Sequence, residues 1–231
     1  MALFCPAGTH YQVFGESKHN TLVFIHGVGL DLNLWQHQVA GLQDKYQIIT
    51  YDLLGHGLSP HTESGLSLET LAQQLYDLLE YRQLKRVHLV GFSLGGLVAR
   101  VFATQYHDRL QSLIIMNSVF DRTRRLRDTI LKRVREVEKH GPSANIDQAL
   151  TRWFSPLYTQ NHGLDLALLK AKVLANHSPS YSRCYRLFGE GDNVVQDQLS
   201  NISCPTLITT GELDPGSTPA MSYALAAKIP S

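Results

Sequence analysis

The sequence predicts an α/β protein in which a mostly parallel β-sheet is flanked by helices. Short β-branched runs alternate with longer segments of helical period, and several of these runs are almost continuously apolar. The alternation is typical of parallel strands joined by crossover helices, and the apolar runs are expected of strands covered on both faces. A third observation is the loss of strand signal between about residues 118 and 195, which predicts a helical insertion between two strands.

The β-branched runs predict strands at residues 10–15, 21–26, 46–52, 86–92, 110–117 and 205–211. The helical periodicity predicts helices at residues 34–42, 68–81, 94–107 and 219–229. Ser67 and Glu69 predict the start of the second helix, because serine caps free backbone N–H groups and an acidic side chain complements the helix dipole. The expected organisation is a core in two parts, with a helical cap inserted between them: residues 1–120, 121–195 (the cap) and 196–231.

Composition and charge favour a small-molecule ligand. The chain has 231 residues, of which 43% are hydrophobic and 18% charged, and its formal net charge is +1. These values are ordinary for one globular domain and give no reason to expect nucleic acid or a membrane as partner. The basic segment 121–140 is interpreted as an amphipathic helix with a solvated face, with a nucleic-acid or lipid patch as the alternative.

Cysteine usage and hydropathy predict a cytoplasmic protein. Cys5, Cys184 and Cys204 are odd in number and far apart, without the spacing of a zinc site or a disulfide scaffold. The first ten residues lack the basic and apolar regions of a signal peptide, and no apolar run approaches the roughly 20 residues of a membrane helix. We therefore expect neither secretion nor membrane spanning, and we leave the oligomeric state open.

The segment "GFSLG" at residues 91–95 predicts a nucleophilic serine. It lies where a β-like run gives way to a helical pattern, which is the context in which G-x-S-x-G presents a serine on a sharp turn. The glycines remove Cβ atoms that would clash as strand and helix approach, and the serine is forced into a strained conformation. Ser93 is therefore the candidate nucleophile, with a merely structural turn as the alternative.

A serine nucleophile needs N–H donors aimed at the oxyanion that forms during attack. The segment "HGVG" at residues 26–29 follows a predicted central strand, and its glycines let backbone N–H groups turn inward. We assign the oxyanion hole to the N–H groups of Val28 and Leu94. His26 is expected to brace the loop by hydrogen bonding and not to act as the base.

Two further polar segments follow predicted strands. Asp52 and the Gly-His-Gly turn at residues 55–57 are interpreted as structural support. Asp214, in the loop after the last strand, is the predicted acid that would fix the tautomer of a catalytic histidine and stabilise its imidazolium form. Glu212 and Asp192 remain competing candidates for this role.

Taken together, these segments resemble the α/β-hydrolase superfamily, because "HGVG", "YDLLGHGLS", "GFSLGG" and "TGELDP" occur in the superfamily's order. The cap segments "ALTRWFSPLY" and "SPSYSRCYRLFGEGD" are also similar to segments of the 3-oxoadipate enol-lactonases, although related esterases and cofactor-free haloperoxidases share the core motifs. The resemblance implies that Ser93 attacks a small-molecule ester or lactone and forms an acyl-enzyme that water hydrolyses. It implies no metal and no organic cofactor.

A substrate that carries a carboxylate would need a positive counter-charge. Arg152 is the candidate, because a guanidinium binds a carboxylate through two parallel hydrogen bonds. Trp153 beside it would form an apolar wall. The alternative is a surface arginine next to a core tryptophan.

The superfamily's order places the histidine base after the acid, yet the last histidine in this sequence is His177. The resemblance implies one more strand, a Gly-His loop and a closing helix, so we expect the chain to be C-terminally incomplete. Rescue by His26 or His56 is not expected. The alternative is a non-catalytic protein of the same fold, a ligand receptor or scaffold, that ends naturally at Ser231.

Overall fold

A seven-stranded β-sheet forms the centre of the computed structural model, which describes residues 2–17, 20–61 and 64–230. The remaining residues, including Ser231, lie outside this description. The strands are β1 (Leu3–Phe4), β2 (His10–Phe14), β3 (Thr21–Ile25), β4 (Gln47–Tyr51), β5 (Val87–Phe92), β6 (Leu110–Met116) and β7 (Thr206–Thr209).

The order of the strands is β1-β2-β4-β3-β5-β6-β7. β1 and β2 pair antiparallel, whereas the strands from β4 to β7 are parallel. The prediction of a mostly parallel sheet is therefore confirmed. Every residue of β3 and β4 is buried, because core side chains cover both faces of the sheet.

Two strands differ from the sequence prediction by more than one residue at an end. β1 was not predicted, because two exposed residues carry no periodic signal. β7 ends at Thr209, two residues earlier than predicted, and lies at an edge of the sheet in the part of the chain that is described. Leu207 is 56% exposed there, since β7 has a neighbouring strand on one side only.

Helices cover the sheet and form the cap. They are α1 (Gln36–Leu42), α2 (Leu68–Tyr81), α3 (Leu94–Gln105), α4 (Arg124–His140), α5 (Ile146–Trp153), α6 (Pro156–Asn161), α7 (Gly163–Leu174), α8 (Ser178–Glu190) and α9 (Pro219–Ala226). α2 begins where predicted, because the Ser67 hydroxyl accepts a hydrogen bond from the Thr70 N–H at 3.1 Å. Within the described residues, no helix combines the length and the apolar character needed to cross a bilayer.

The cap contains helices α4 to α8, which lie between β6 and β7 in the chain. α4 buries Ile130, Val134 and Val137 and exposes most of its basic side chains, so the amphipathic prediction is confirmed. α8 packs closely against it at Gly189, where a methyl group would come within 2.5 Å of a Val134 methyl carbon.

A buried cluster of charges joins the two ends of the cap to α3. Asp192, after α8, accepts a hydrogen bond from the Arg122 N–H at 2.8 Å and pairs with the Arg127 guanidinium at 3.1 Å. Arg100 of α3 is fully buried and donates to the carbonyl oxygens of Val119, Gly191 and Asp192. Burial lowers the pKa of Arg100 to about 9, although the Asp192 charge opposes this shift. The Asp192 carboxylate is therefore the counter-ion of a buried arginine cluster.

We expect Asp192→Asn to lower the free energy of unfolding by about 3–5 kcal/mol, because removal of one partner leaves buried positive charge without compensation. Urea denaturation followed by circular dichroism measures the change. Asp128→Asn, an exposed change on α4, is the matched control and should have little effect. Equal stabilities for the two variants would contradict a structural role for the buried carboxylate.

Candidate active site

The candidate site lies where the direction of strand progression reverses. From β3 the chain passes to β4 on one side of β3, and it then returns to β5 on the other side. Crevices that bind ligands open at the carboxyl ends of the strands at such a point. The loops after β3 and β5 meet there, because a methyl group on Gly27 would lie 3.2 Å from the Ser93 Cβ.

Ser93 occupies a strained turn between β5 and α3. Its φ is 55° and its ψ is −115°, a conformation that costs a non-glycine residue about 1–3 kcal/mol. Its backbone is held by hydrogen bonds from the Ser93 N–H to the Met116 carbonyl and from the Ser118 hydroxyl to the Ser93 carbonyl. The Ser93 Oγ has no hydrogen-bond partner among the described residues. The predicted strained geometry is confirmed.

The glycines on either side of Ser93 allow the strand and the helix to approach each other. A methyl group on Gly91 would lie 2.3 Å from the Gly95 carbonyl oxygen. A methyl group on Gly95 would lie 2.5 Å from the Ile25 carbonyl oxygen. Both contacts are with backbone atoms, which cannot move aside. Glycine at these positions therefore brings the first turn of α3 against the end of β3.

Residues 27–30 form a tight turn, which we call the 27–30 turn. The Leu30 N–H donates to the Gly27 carbonyl at 3.3 Å, and Gly29 has a φ of +77° that favours glycine. The Gly29 N–H donates to the Nε2 atom of His56 at 2.9 Å. The Val28 N–H, in contrast, has no acceptor among the described residues, and the same is true of the Leu94 N–H at the start of α3. Both N–H groups assigned to the oxyanion hole are therefore free.

Two buried histidines hold the 27–30 turn. The Nδ1 atom of His26 donates to the Gly27 carbonyl at 2.7 Å, and its Nε2 atom accepts from the Leu53 N–H at 3.0 Å. His56 accepts from Gly29 through Nε2, as described above. Burial lowers the pKa of both histidines, to about 3 for His56, so both are neutral near pH 7. Each histidine already uses Nε2 as an acceptor, so neither is free to act as a base.

Asp52 stabilises the same region through hydrogen bonds to its carboxylate. One carboxylate oxygen accepts from the Leu32 N–H at 2.8 Å. The other accepts from the Leu58 N–H at 2.9 Å and lies 2.7 Å from the Nδ1 atom of His10. These contacts join three segments of the chain, which agrees with the interpretation of Asp52 as structural support.

Asp214 lies in the loop after β7, and its carboxylate is held in a defined orientation. One oxygen accepts from the N–H groups of Gly216 and Ser217 at 2.8 and 2.9 Å, and the other from the Asn117 side chain at 2.8 Å. Asn117 follows β6, so Asp214 is held at the carboxyl end of the parallel strands. The Asn117 contact was not predicted from the sequence.

The competing acids lie in different surroundings. Asp192 is the buried counter-ion of the arginine cluster at the ends of the cap. Glu212 is exposed, and no described residue donates a hydrogen bond to its carboxylate. Of the three candidates, Asp214 alone combines a position after a parallel strand with a carboxylate fixed by hydrogen bonds.

Arg152 lies in the last turn of α5, in a cluster of polar side chains within the cap. Burial and the nearby Arg133 guanidinium lower the pKa of Arg152, and Tyr185 opposes them. Neither arginine has an acidic partner among the described residues. Trp153 is 49% exposed, so it is not a core residue.

Comparisons with known proteins agree with this architecture. A family profile described as alpha/beta hydrolase fold matches residues 20–231. The chain is 32% identical over 94% of its length to (E)-2-((N-methylformamido)methylene)succinate hydrolase of Acinetobacter baylyi, of which it covers 80%. It is 29% identical over 91% of its length to 3-oxoadipate enol-lactonase 2 of the same species, of which it covers 78%. The crystal structure of the enol-lactonase from Burkholderia xenovorans is 26% identical, with a TM-score of 0.85, and the match covers 96% of this chain and 85% of that one.

The neutral state of His56 predicts a loss of stability in acid. Between pH 6.5 and about 3 the unfolded chain protonates His56 and the folded protein does not, so stability falls as pH falls through this window. His56→Gln retains an acceptor for the Gly29 N–H but does not titrate. We expect the variant to lose less stability than the natural protein on acidification, by up to about 1.4 kcal/mol per pH unit.

Urea unfolding at a series of pH values measures this difference. His37→Gln, a change at an exposed position on α1, is the control and should leave the pH dependence unchanged. Parallel pH profiles for the natural protein and His56→Gln would show that folding does not lower the pKa of His56.

Proposed function

The chain belongs to the α/β-hydrolase fold family, and on this basis we propose that it is a serine hydrolase that cleaves a carboxylic ester or lactone. The observation that carries the proposal is the position of Ser93. Its hydroxyl is presented on a strained turn beside the 27–30 turn, at the reversal point of the parallel sheet. A reactive hydroxyl and free N–H donors at one crevice are the groups that acyl transfer requires.

In the first half of the proposed reaction, the Ser93 Oγ attacks the substrate carbonyl carbon while a base takes the hydroxyl proton. The carbonyl oxygen becomes an oxyanion, and the N–H groups of Val28 and Leu94 donate hydrogen bonds to it. The protonated base then gives its proton to the leaving oxygen as the carbon–oxygen bond breaks. In the second half, water repeats the sequence and releases the acid from Ser93.

Asp214 is proposed to orient the base and to stabilise its protonated form. Its carboxylate is already held by Asn117 and by the N–H groups of its own loop, which supports a positioning role. A fixed carboxylate loses little entropy when it holds an imidazole in one tautomer.

We assign no described residue to the role of the base. His26 and His56 are neutral and buried, and both use their ring nitrogens to hold the backbone around the 27–30 turn. Protonation at Nε2 would break the bond from Leu53 or Gly29. These contacts support a structural role for both histidines.

The substrate is proposed to be a small ester or lactone that carries a carboxylate. The support is the pair Arg133 and Arg152, two partly buried guanidinium groups without acidic partners in the described part of the chain, together with Tyr185. An unpaired guanidinium in a partly buried site is well suited to an anion. The names of the Acinetobacter baylyi relatives contain a substituted succinate and 3-oxoadipate, both carboxylates.

The proposed setting is the cytoplasm. Cys5, Cys184 and Cys204 are free thiols and are all buried, as expected of a protein from a reducing compartment. The proposed partner is the substrate alone, because the charge balance favours neither nucleic acid nor an anionic membrane.

We expect Ser93→Ala to lower kcat for a short-chain aryl ester by about three decades or more, because the nucleophile is lost while the binding and oxyanion groups remain. Release of p-nitrophenol from p-nitrophenyl acetate, by the protein as its gene encodes it, measures the effect. Ser143→Ala, on the exposed surface of the cap, is the control.

Near-normal turnover by a correctly folded Ser93→Ala protein would refute the nucleophile. Binding of a lactone without any hydrolysis by the gene-encoded protein would instead favour the non-catalytic alternative. Halogenation or perhydrolysis in preference to hydrolysis would favour the haloperoxidase-like alternative.

Arg152→Ala should weaken kcat/KM for carboxylate-bearing lactones by about one to two decades, the size of a lost charge-assisted contact of about 1.5–3 kcal/mol. Hydrolysis of neutral esters should change little. Paired assays with one anionic and one neutral substrate measure this selectivity, and Arg125→Ala on the exposed face of α4 is the control. Equal loss on both substrates would indicate a structural role for Arg152.

A further inference from the structure

The C-terminal end of α7 contacts the 27–30 turn. The side-chain amide of Asn176 donates a hydrogen bond to the Gly29 carbonyl oxygen at 2.9 Å. Val173 is fully buried against the same residue, since a methyl group on Gly29 would lie 3.5 Å from the Val173 methyl carbons. Lys172 forms an ion pair with Asp31, the residue directly after the turn. The C-terminal end of α7 therefore packs against the 27–30 turn of the core.

Asn176 is itself anchored to the helix. Its amide nitrogen also lies 3.1 Å from the Lys172 carbonyl oxygen and 3.0 Å from the Val173 carbonyl oxygen. These carbonyls belong to the last turn of α7, where intrahelical donors run out. The Asn176 side chain thus bridges the helix end and the turn, and its position relative to Gly29 is set by α7.

Gly29 is consequently held from two sides. Its N–H donates to His56 in the core, and its carbonyl accepts from Asn176 in the cap. The Gly29 carbonyl and the Leu30 N–H belong to one peptide group, so the Asn176 contact also fixes the N–H that Leu30 donates to the Gly27 carbonyl at 3.3 Å. The Gly27 carbonyl in turn shares its peptide plane with the free Val28 N–H, so the direction of this N–H depends on the Asn176 contact through the Leu30 bond, together with the bond from His26.

We propose that Asn176 is a positioning residue that holds the 27–30 turn so that the Val28 N–H points at the oxyanion. This inference rests on the proposed function, since it assigns Asn176 a role in that same site. The cap then carries part of the support of the oxyanion hole. Movement of α7 away from the core removes this support, so cap docking and transition-state stabilisation are coupled.

A merely structural role makes a different prediction. If Asn176 only capped α7, its loss would weaken the cap and change substrate binding together with turnover. A positioning role affects an interaction made chiefly in the transition state, so kcat falls while KM stays nearly constant. Ser155 provides the comparison, because its hydroxyl caps α6 of the same cap by accepting from the Tyr158 N–H.

The test compares Asn176→Ala, Lys172→Ala and the control Ser155→Ala in the protein as its gene encodes it. Amide hydrogen exchange by NMR reports on the turn without requiring activity. We expect the Gly29 and Leu30 amides to exchange about tenfold faster in Asn176→Ala and to be unchanged in Ser155→Ala. Lys172→Ala should act in the same direction more weakly, because an exposed ion pair contributes little.

Kinetics and inhibitor binding complete the test. We expect Asn176→Ala to lower kcat by about tenfold to a hundredfold with less than about a twofold change in KM. Affinity for a boronic acid, which mimics the tetrahedral oxyanion once Ser93 has added to it, should fall in parallel with kcat. Hydrolysis must also remain dependent on Ser93.

Each contrary result has its own meaning. Unchanged amide exchange at Gly29 and Leu30 in both Asn176→Ala and Lys172→Ala would overturn the positioning role. Faster exchange with an unchanged kcat would also overturn it. A parallel rise in KM and fall in kcat that Ser155→Ala reproduces would also overturn it, in favour of a structural role. Hydrolysis that does not require Ser93 would refute the proposed function itself, and the inference with it, whatever the exchange data show.

Discussion

The 27–30 turn leaves the Val28 N–H without an acceptor among the described residues, while the Gly27 carbonyl and the Gly29 N–H are both hydrogen-bonded. Two neutral histidines make these bonds. His26 binds the Gly27 carbonyl and the Leu53 N–H, and His56 accepts from the Gly29 N–H. Burial keeps both imidazoles uncharged, so each has one donor and one acceptor nitrogen, the combination that the surrounding backbone needs. Without these bonds the free Val28 N–H would have no defined direction.

At Ser93, the backbone conformation and not side-chain contacts sets the position of the hydroxyl. Strain at Ser93 is sustained because α3, β3 and β6 all bind or contact the turn, and because glycine at positions 91 and 95 removes the atoms that would keep them apart. Ser93 and the free N–H groups of Val28 and Leu94 are therefore positioned by the loops and the helix end at the centre of the sheet. The cap adds the hydrogen bond from Asn176 to the Gly29 carbonyl.

Two pairs of arginines in the cap have different surroundings. Arg122 and Arg127 share the buried Asp192, and with Arg100 they join the ends of the cap to the core. Arg133 and Arg152 are partly buried without an acidic partner in the described ranges. A buried guanidinium with a counter-ion has a structural role, because the counter-ion and the carbonyl contacts offset the free-energy cost of its desolvation. An unpaired one retains the capacity to bind an external anion.

The sequence by itself determined the class of fold and indicated candidate residues for the site. Apolar runs and helical periods predicted the parallel sheet, the helical cap and the start of α2 at Ser67, because these patterns act over a few residues along the chain. Motif spacing likewise identified Ser93, Val28 and Asp214 as candidates. Only the tertiary structure showed that the Asp214 carboxylate is fixed by hydrogen bonds after a parallel strand, and only it showed that His26 and His56 hydrogen-bond to the backbone around the turn. Asn117 and Asn176 were missed for the same physical reason: their hydrogen bonds join residues about 100 and about 150 positions apart, and such contacts exist only once the sheet and cap have packed.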